Sequence, residues 1–163
     1  MRRPAPVTAN DAIIPEGAND VFATEDTDLV IDVNGYFSAA GLPGGLSYFA
    51  VSPCRAVDTR LPSGPLGGPS LTGQRDFNLS SSVCGIPANA LAVSLNATVV
   101  PQGPLVFLKL WAAGQSLPLA STLNSLYGSI VSSGALVPAA RGAISAYATQ
   151  TTDLILDVNG YFR

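Results

Sequence analysis

The sequence predicts an all-β fold, specifically an antiparallel β-sandwich or a jelly-roll-like module. Short runs that alternate apolar and polar residues, or that are rich in β-branched residues, recur along the chain. Glycine and proline, 16 and 13 of the 163 residues, separate these runs. No stretch sustains a helical period over three turns, so strands and turns are favoured over helices.

In the first half of the chain, strands are predicted wherever such a run lies between proline, glycine or asparagine signals. Proline and glycine dominate residues 61–69, which excludes regular structure there. The predicted strands of this part are Ala12 to Ile14, Asp20 to Ala23, Asp28 to Val33, Tyr48 to Ser52, Arg55 to Thr59 and Arg75 to Leu79.

The remaining predicted strands are bounded by turn signals such as Pro101-Gln102-Gly103-Pro104. The longest of them combines alternation with several valines, which suits a pleated surface with one buried face. These strands are Ala90 to Val100, Leu105 to Trp111, Ser121 to Leu126, Ala135 to Val137, Ala143 to Ala148 and Asp153 to Val158.

One phrase of the sequence occurs twice. Ala23 to Phe37 matches Ala148 to Phe162 at an offset of 125, with 11 of 15 positions identical. We call these stretches the first copy and the second copy. Residues 47–163 are long enough to be one complete β module, and 38–46 resemble a linker. Residues 1–37 are then expected to be the closing segment of a preceding repeat, available as donated strands.

Each copy ends in Asp-Val-Asn-Gly-Tyr-Phe. A strand here would place Leu29, Ile31 and Val33 on one face, and the following Asn-Gly favours a tight turn because both residues tolerate positive φ. Calcium binding is the alternative, but the spacing of an EF-hand loop would place Val30 at its first ligand position. The residues assigned to the repeated turn are Asp32, Asn34, Gly35, Asp157, Asn159 and Gly160.

The composition limits the classes of function. Seven of the eleven acidic residues fall in the first 37 positions, so no basic nucleic-acid surface is expected. No apolar run approaches the ~18 residues of a membrane helix. Histidine is absent and no serine lies in Gly-x-Ser-x-Gly, which removes the standard catalytic triad. We therefore expect no enzyme, no metal site and no cofactor.

The two cysteines, Cys54 and Cys84, have neither Cys-x-x-Cys spacing nor a histidine to complete a metal site. A disulfide between them is favoured over two buried free thiols, and it would indicate an oxidising, extracytoplasmic location. Met1-Arg2-Arg3 is not followed by the ~7 to 15 apolar residues of a signal peptide. A secreted protein with this start is expected to be a mature fragment or a piece of a longer chain.

Two further groups of side chains have alternatives that the sequence leaves open. Asp58 and Arg60 share one strand face, where a salt bridge is favoured over a catalytic role. Trp111 is a candidate ligand-stacking residue for sugar rings, together with Tyr48, Tyr127 and Tyr147, or else a core residue at the end of an apolar strand.

Five motifs occur in a fixed order. They are Ser52-Pro53-Cys54-Arg55, Val57-Asp58-Thr59-Arg60, Cys84-Gly85-Ile86-Pro87, the run from Pro118 to Asn124, and Asp157 to Phe162. Together they resemble an uncharacterised family of secreted bacterial tandem-repeat β modules found in large surface proteins. The resemblance covers 47–162 and implies an extracellular or cell-surface location, but no particular activity.

These observations favour an extracellular structural or adhesive module. With two closing segments for one body, the first must pack on its own body or donate strands to a neighbour, which would give self-association or an open filament. A carbohydrate-binding module that recognises a polysaccharide is the alternative.

Overall fold

A computed structural model describes residues 10–14, 20–38 and 42–163. The predicted all-β, antiparallel class is confirmed, and the seven strands belong to one sheet. A single turn of 3-10 helix, Leu79–Ser81, follows the second strand. The strands are β1 (Tyr48–Asp58), β2 (Leu71–Asn78), β3 (Ala92–Pro101), β4 (Leu105–Ala112), β5 (Leu123–Ser125), β6 (Val131–Pro138) and β7 (Ala143–Phe162).

The last strand is the centre of the sheet. The first half of β7 is paired with β2 and β4, and its second half is paired with β1 and β3, all antiparallel. Each half of β7 thus has two partner strands. Since a strand has only two edges, both edges of β7 are hydrogen-bonded. The sheet order is β5-β4-β7-β3-β6, and β5 and β6, at the two ends of this order, approach each other so that the sheet curls toward a barrel.

Two pairs of predicted strands are joined into longer ones. The runs 48–52 and 55–59 form the single strand β1, whose register with β7 shifts between Ala50 and Cys54, around Pro53. The runs 143–148 and 153–158 form β7, because threonines between them bond to the neighbouring strands: Thr149 to Val106 of β4, Thr151 to Thr72 of β2, and Thr152 is paired with Leu71. Propensity along one strand does not reveal such two-sided pairing.

The core follows from strand alternation. Every second residue of β3 from Val93 to Val99 is buried, and the residues between them are only partly covered. In β7, Leu154, Leu156 and Val158 are buried in the same apolar cluster. The second half of β7 is therefore both the hydrogen-bonded centre of the sheet and a large part of its core.

The three strands predicted before residue 38 are not formed. Residues 12–14, 20–23 and 28–33 have no strand partner among the described residues and are exposed throughout. A strand needs a neighbouring backbone to satisfy its N–H and C=O groups, and alternation alone does not supply one. Parts of the predicted closing segment (1–9 and 15–19) and of the predicted linker (39–41) lie outside the described residues.

The predicted disulfide is present. Cys54 on β1 is bonded to Cys84, 30 residues further along the chain, and their Cα atoms are 5.5 Å apart. The bond ties β1 to the connection between β2 and β3, which carries the buried Ile86. No helix among the described residues is long and apolar enough to cross a membrane.

Candidate functional site

The candidate site is the place that the second copy occupies in the sheet, between β1 and β3. Its charged part joins two sequence motifs that lie far apart in the chain. Arg55 donates from Nε to Asp157 Oδ1 at 2.8 Å and from Nη2 to Asp157 Oδ2 at 3.1 Å. This two-pronged contact positions the second copy against β1, since a guanidinium and a carboxylate match in plane and spacing.

The same guanidinium also reaches Asp58, which is buried. Asp58 Oδ2 accepts from Arg60 Nη2 at 2.7 Å and from Arg55 Nη1 at 3.3 Å, and Arg60 Nε donates to Asp58 Oδ1 at 2.8 Å. The predicted Asp58–Arg60 salt bridge is thus confirmed. The hydrogen bonds from Arg60 hold the pKa of Asp58 below its usual value, although burial opposes this shift.

A second polar group holds the middle of the second copy. Asp153 Oδ1 accepts from Ser70 Oγ at 2.6 Å and from Thr59 Oγ1 at 3.3 Å. Thr59 is hydrogen-bonded to both backbone groups of Leu154. Its Oγ1 accepts from Leu154 N–H at 2.8 Å, and its own N–H donates to Leu154 C=O at 3.0 Å. Every buried polar side chain among the described residues has a hydrogen-bond partner.

The predicted turn at Asn159-Gly160 is wrong for this copy. β7 continues through both residues to Phe162, and the extra residue Asn159 is absorbed as a bulge between the pairs Ser94–Gly160 and Leu95–Val158. Pairing on both edges outweighs the local preference of Asn-Gly for a turn. Glycine at 160 makes room for a neighbouring side chain: the ring of Tyr48 lies where a Cβ would be, so a larger residue here would displace that ring.

The first copy has nearly the same side chains as the second copy, but it makes none of these contacts with the described residues. Leu29 is 58% exposed where its counterpart Leu154 is 0% exposed, and Val33 is 83% exposed where Val158 is 0% exposed. Asp32, the counterpart of Asp157, forms no ion pair with any described residue. Asn34 and Gly35 form neither a turn nor a strand. The first copy therefore exposes the side chains that the second copy buries.

An aromatic contact joins the ends of the two copies. The ring of Phe37 lies 6.1 Å from the ring of Phe162, measured between centroids. The first copy thus ends beside the end of β7, with its apolar side chains still facing solvent.

Trp111 is the main candidate for stacking against a ligand, and the structure buries it. Trp111 is 5% exposed, and its Nε1 donates to the C=O of Gln115 at 2.9 Å. Its ring is therefore not available to stack on a sugar, which weakens the carbohydrate-binding alternative. An open hollow of about 400 Å³ beside Arg55 and Asp157 is not lined by aromatic residues. In the described part of the chain, no three His, Cys, Asp or Glu side chains are grouped to hold a metal ion.

No family model, no curated protein and no solved structure matches this chain.

The charged cluster gives a pH-dependent prediction. The pKa of Asp58 is lowered from 3.8 by Arg60, so its stabilising effect is complete above the unfolded-state pKa and is lost as the pH falls through the lowered pKa. Asp58→Asn should cost about 1 to 2 kcal/mol near pH 7, because the arginine partners are half exposed and partly screened. The cost should shrink as the pH falls below 3.8 and through the lowered pKa.

Urea unfolding between pH 2 and pH 7 measures this difference. Asp32→Asn is the matched control, since Asp32 has no ion-pair partner among the described residues. A constant difference between Asp58→Asn and the parent chain across this pH range would contradict the assigned role.

Proposed function

We propose that the protein is a structural or adhesive module of an extracellular assembly, in which residues 20–38 add to the sheet of a neighbouring molecule. The observation that supports this is the contrast between the two copies: apolar side chains that are interior in β7 are exposed in the first copy. Folded proteins seldom leave so many large apolar side chains in water on one short segment unless a partner covers them.

The apolar side chains of the first copy determine how much free energy is gained on docking. Leu29, Ile31 and Val33 alternate along the chain and are all more than half exposed. Covering a Val, Leu or Ile side chain fully is worth about 1.5 to 3 kcal/mol, and added backbone hydrogen bonds fix the direction of the strand. Three such side chains contribute roughly 4.5 to 9 kcal/mol, which is comparable with the ~4 to 15 kcal/mol that association costs, so the added backbone hydrogen bonds are needed as well.

The mode of contact determines the kind of assembly. A segment of one molecule that binds a different surface of the next makes a heterologous contact, and such a contact propagates when it does not close into a ring. The 163 residues contain one first copy and one body. The expected product is an open filament of identical molecules.

The extracellular location is supported by the disulfide between Cys54 and Cys84, since such bonds persist mainly in oxidising compartments. The sequence resemblance to secreted repeat modules favours the same location.

The proposed function is tested by the double variant Leu29→Asp/Ile31→Asp. Losing two apolar side chains from the contact removes at least about 3 kcal/mol, which corresponds to association weaker by roughly a hundredfold. Light scattering coupled to size-exclusion chromatography should show large species for the parent chain and a single molecule for the variant at the same concentration.

The matched control is Thr24→Asp/Thr27→Asp, which adds the same charge to the same exposed segment and removes no apolar side chain. It should reduce association much less. An unchanged mass for Leu29→Asp/Ile31→Asp would overturn the proposed function, as would an equal loss of association in the control.

A further inference from the structure

The sequence contains two Asn-Gly pairs, and both lie in the repeated phrase. Asn34-Gly35 belongs to the first copy and Asn159-Gly160 to the second copy, and each is preceded by Asp-Val and followed by Tyr-Phe. Asparagine is among the chemically least stable residues of proteins. When glycine follows it, no side chain hinders the approach of the next backbone nitrogen to the asparagine side chain. The two pairs therefore have the same intrinsic reactivity, and only their surroundings differ.

The surroundings of Asn34-Gly35 leave its backbone free to rotate. Both residues are exposed, and in the described part of the chain neither is paired with a strand. Apart from Gly35 itself and its chain neighbours, no described atom lies within 4 Å of the place where a Cβ on Gly35 would be. The backbone nitrogen of Gly35 can therefore approach Cγ of Asn34 without breaking a strand pairing.

The surroundings of Asn159-Gly160 oppose the same rotation. Gly160 is buried and is paired with Ala50 of β1 on one edge of β7 and with Ser94 of β3 on the other. The C=O of Asn159 accepts from Tyr48 Oη at 3.2 Å. Asn159 is itself exposed, so access to solvent does not distinguish the two pairs. The difference lies in the backbone, because rotation at Asn159 requires the neighbouring strands to separate locally.

We propose that Asn34-Gly35 is a site of spontaneous deamidation, and that strand pairing protects Asn159-Gly160 from the same reaction. The backbone nitrogen of Gly35 attacks Cγ of Asn34 and loses its proton, which forms a cyclic imide, while the side-chain nitrogen of Asn34 leaves as ammonia. Water then opens the imide at either of its carbonyl carbons. The products are aspartate, or isoaspartate with the backbone running through the former side chain. The reaction takes place within a single molecule, so this inference does not depend on the proposed function.

The reaction changes both the charge and the backbone of the first copy. Residues 20–38 carry five acidic side chains and no basic one, and the products add a further carboxylate close to Asp32. Isoaspartate also inserts an extra carbon atom into the backbone. Because side chains alternate along an extended chain, this atom moves Tyr36 and Phe37 out of phase with the apolar residues before them. The modified first copy therefore no longer matches the second copy.

Peptide mapping by tandem mass spectrometry tests the proposal on the full-length chain. The folded protein is incubated at low concentration in mildly alkaline buffer, and the mass gain from amide to carboxylate is followed separately at Asn34 and Asn159. We expect Asn34 to be modified at least about tenfold faster, because Asn159 reacts only when the sheet opens locally. In concentrated urea with the disulfide reduced, the two rates should agree within about twofold, since the flanking residues are the same and the strand pairing is lost.

The matched variant is Gly35→Ala, which adds a Cβ where there is space and where φ is not positive. This Cβ hinders the attacking nitrogen, so the reaction at Asn34 should slow at least about fivefold, and the rate at Asn159 should not change. Equal rates at Asn34 and Asn159 in the folded protein would overturn the proposal, as would a difference of the same size in urea or an unchanged rate in Gly35→Ala. The proposed function is tested by association and this proposal by mass, so each can fail without the other.

Discussion

Replacing Leu154 by alanine should lower the free energy of unfolding by about 2 to 5 kcal/mol, the range for a buried leucine truncated in a core. Leu154 is 0% exposed, is paired with Val99 of β3 and is held by Thr59 on its other side. Neither neighbour can move into the space left behind without breaking backbone hydrogen bonds of the sheet. The loss is therefore expected in the upper half of that range.

The matched variant is Leu29→Ala, the same substitution at the equivalent position of the first copy. Because Leu29 is exposed, the stability of the single molecule should change by less than about 0.5 kcal/mol. Denaturant unfolding at low concentration measures both variants in the unassembled state. Similar losses in the two variants would show that the first copy is packed in the isolated molecule and is not free to dock on a neighbour.

The second large effect concerns the disulfide. The double variant Cys54→Ala/Cys84→Ala should lose about 3.5 kcal/mol of stability, because the bond closes a loop of 30 residues and restricts the unfolded chain. The loop contains β2 and the proline- and glycine-rich connection before it, a stretch that would otherwise be free in the unfolded state.

Thermal or denaturant unfolding in oxidising and reducing buffer measures this contribution. Reduction should destabilise the parent chain by about the same amount as the double variant and should leave the variant unchanged. A loss below about 1 kcal/mol in the double variant would mean that the loop is already restricted in the unfolded chain.

Much of the fold follows from local pattern. The alternation in β3 identifies its buried face, and the position of Asp58 two residues before Arg60 predicts their ion pair. The disulfide follows from two cysteines without metal-site spacing. These features depend on near neighbours in the sequence or on a small number of alternatives, so they can be predicted from one chain.

The features that could not be predicted depend on pairing between distant residues. Arg55 and Asp157 are 102 positions apart, and no local signal indicates their contact. Backbone preference predicts a turn at Asn159-Gly160, but hydrogen bonding on both sides of β7 keeps the chain extended. The burial of Trp111 depends likewise on what covers its strand.

The repeated phrase thus has two structural states in one molecule. In the second copy it forms the centre of the sheet, and in the first copy the same apolar face has no strand partner in the described part of the chain. The two copies place nearly identical sequences in two different environments. The same substitution made in each copy therefore measures what strand pairing contributes to stability.

Electron microscopy of the purified full-length chain tests the central claim most directly. If the first copy adds to the sheet of a neighbouring molecule, images at the concentration where the parent chain scatters as large species should show filaments that repeat once per body. The Leu29→Asp/Ile31→Asp variant should show single particles under the same conditions. Single particles of one body each for the parent chain, at every concentration at which it remains folded, would contradict strand addition between molecules.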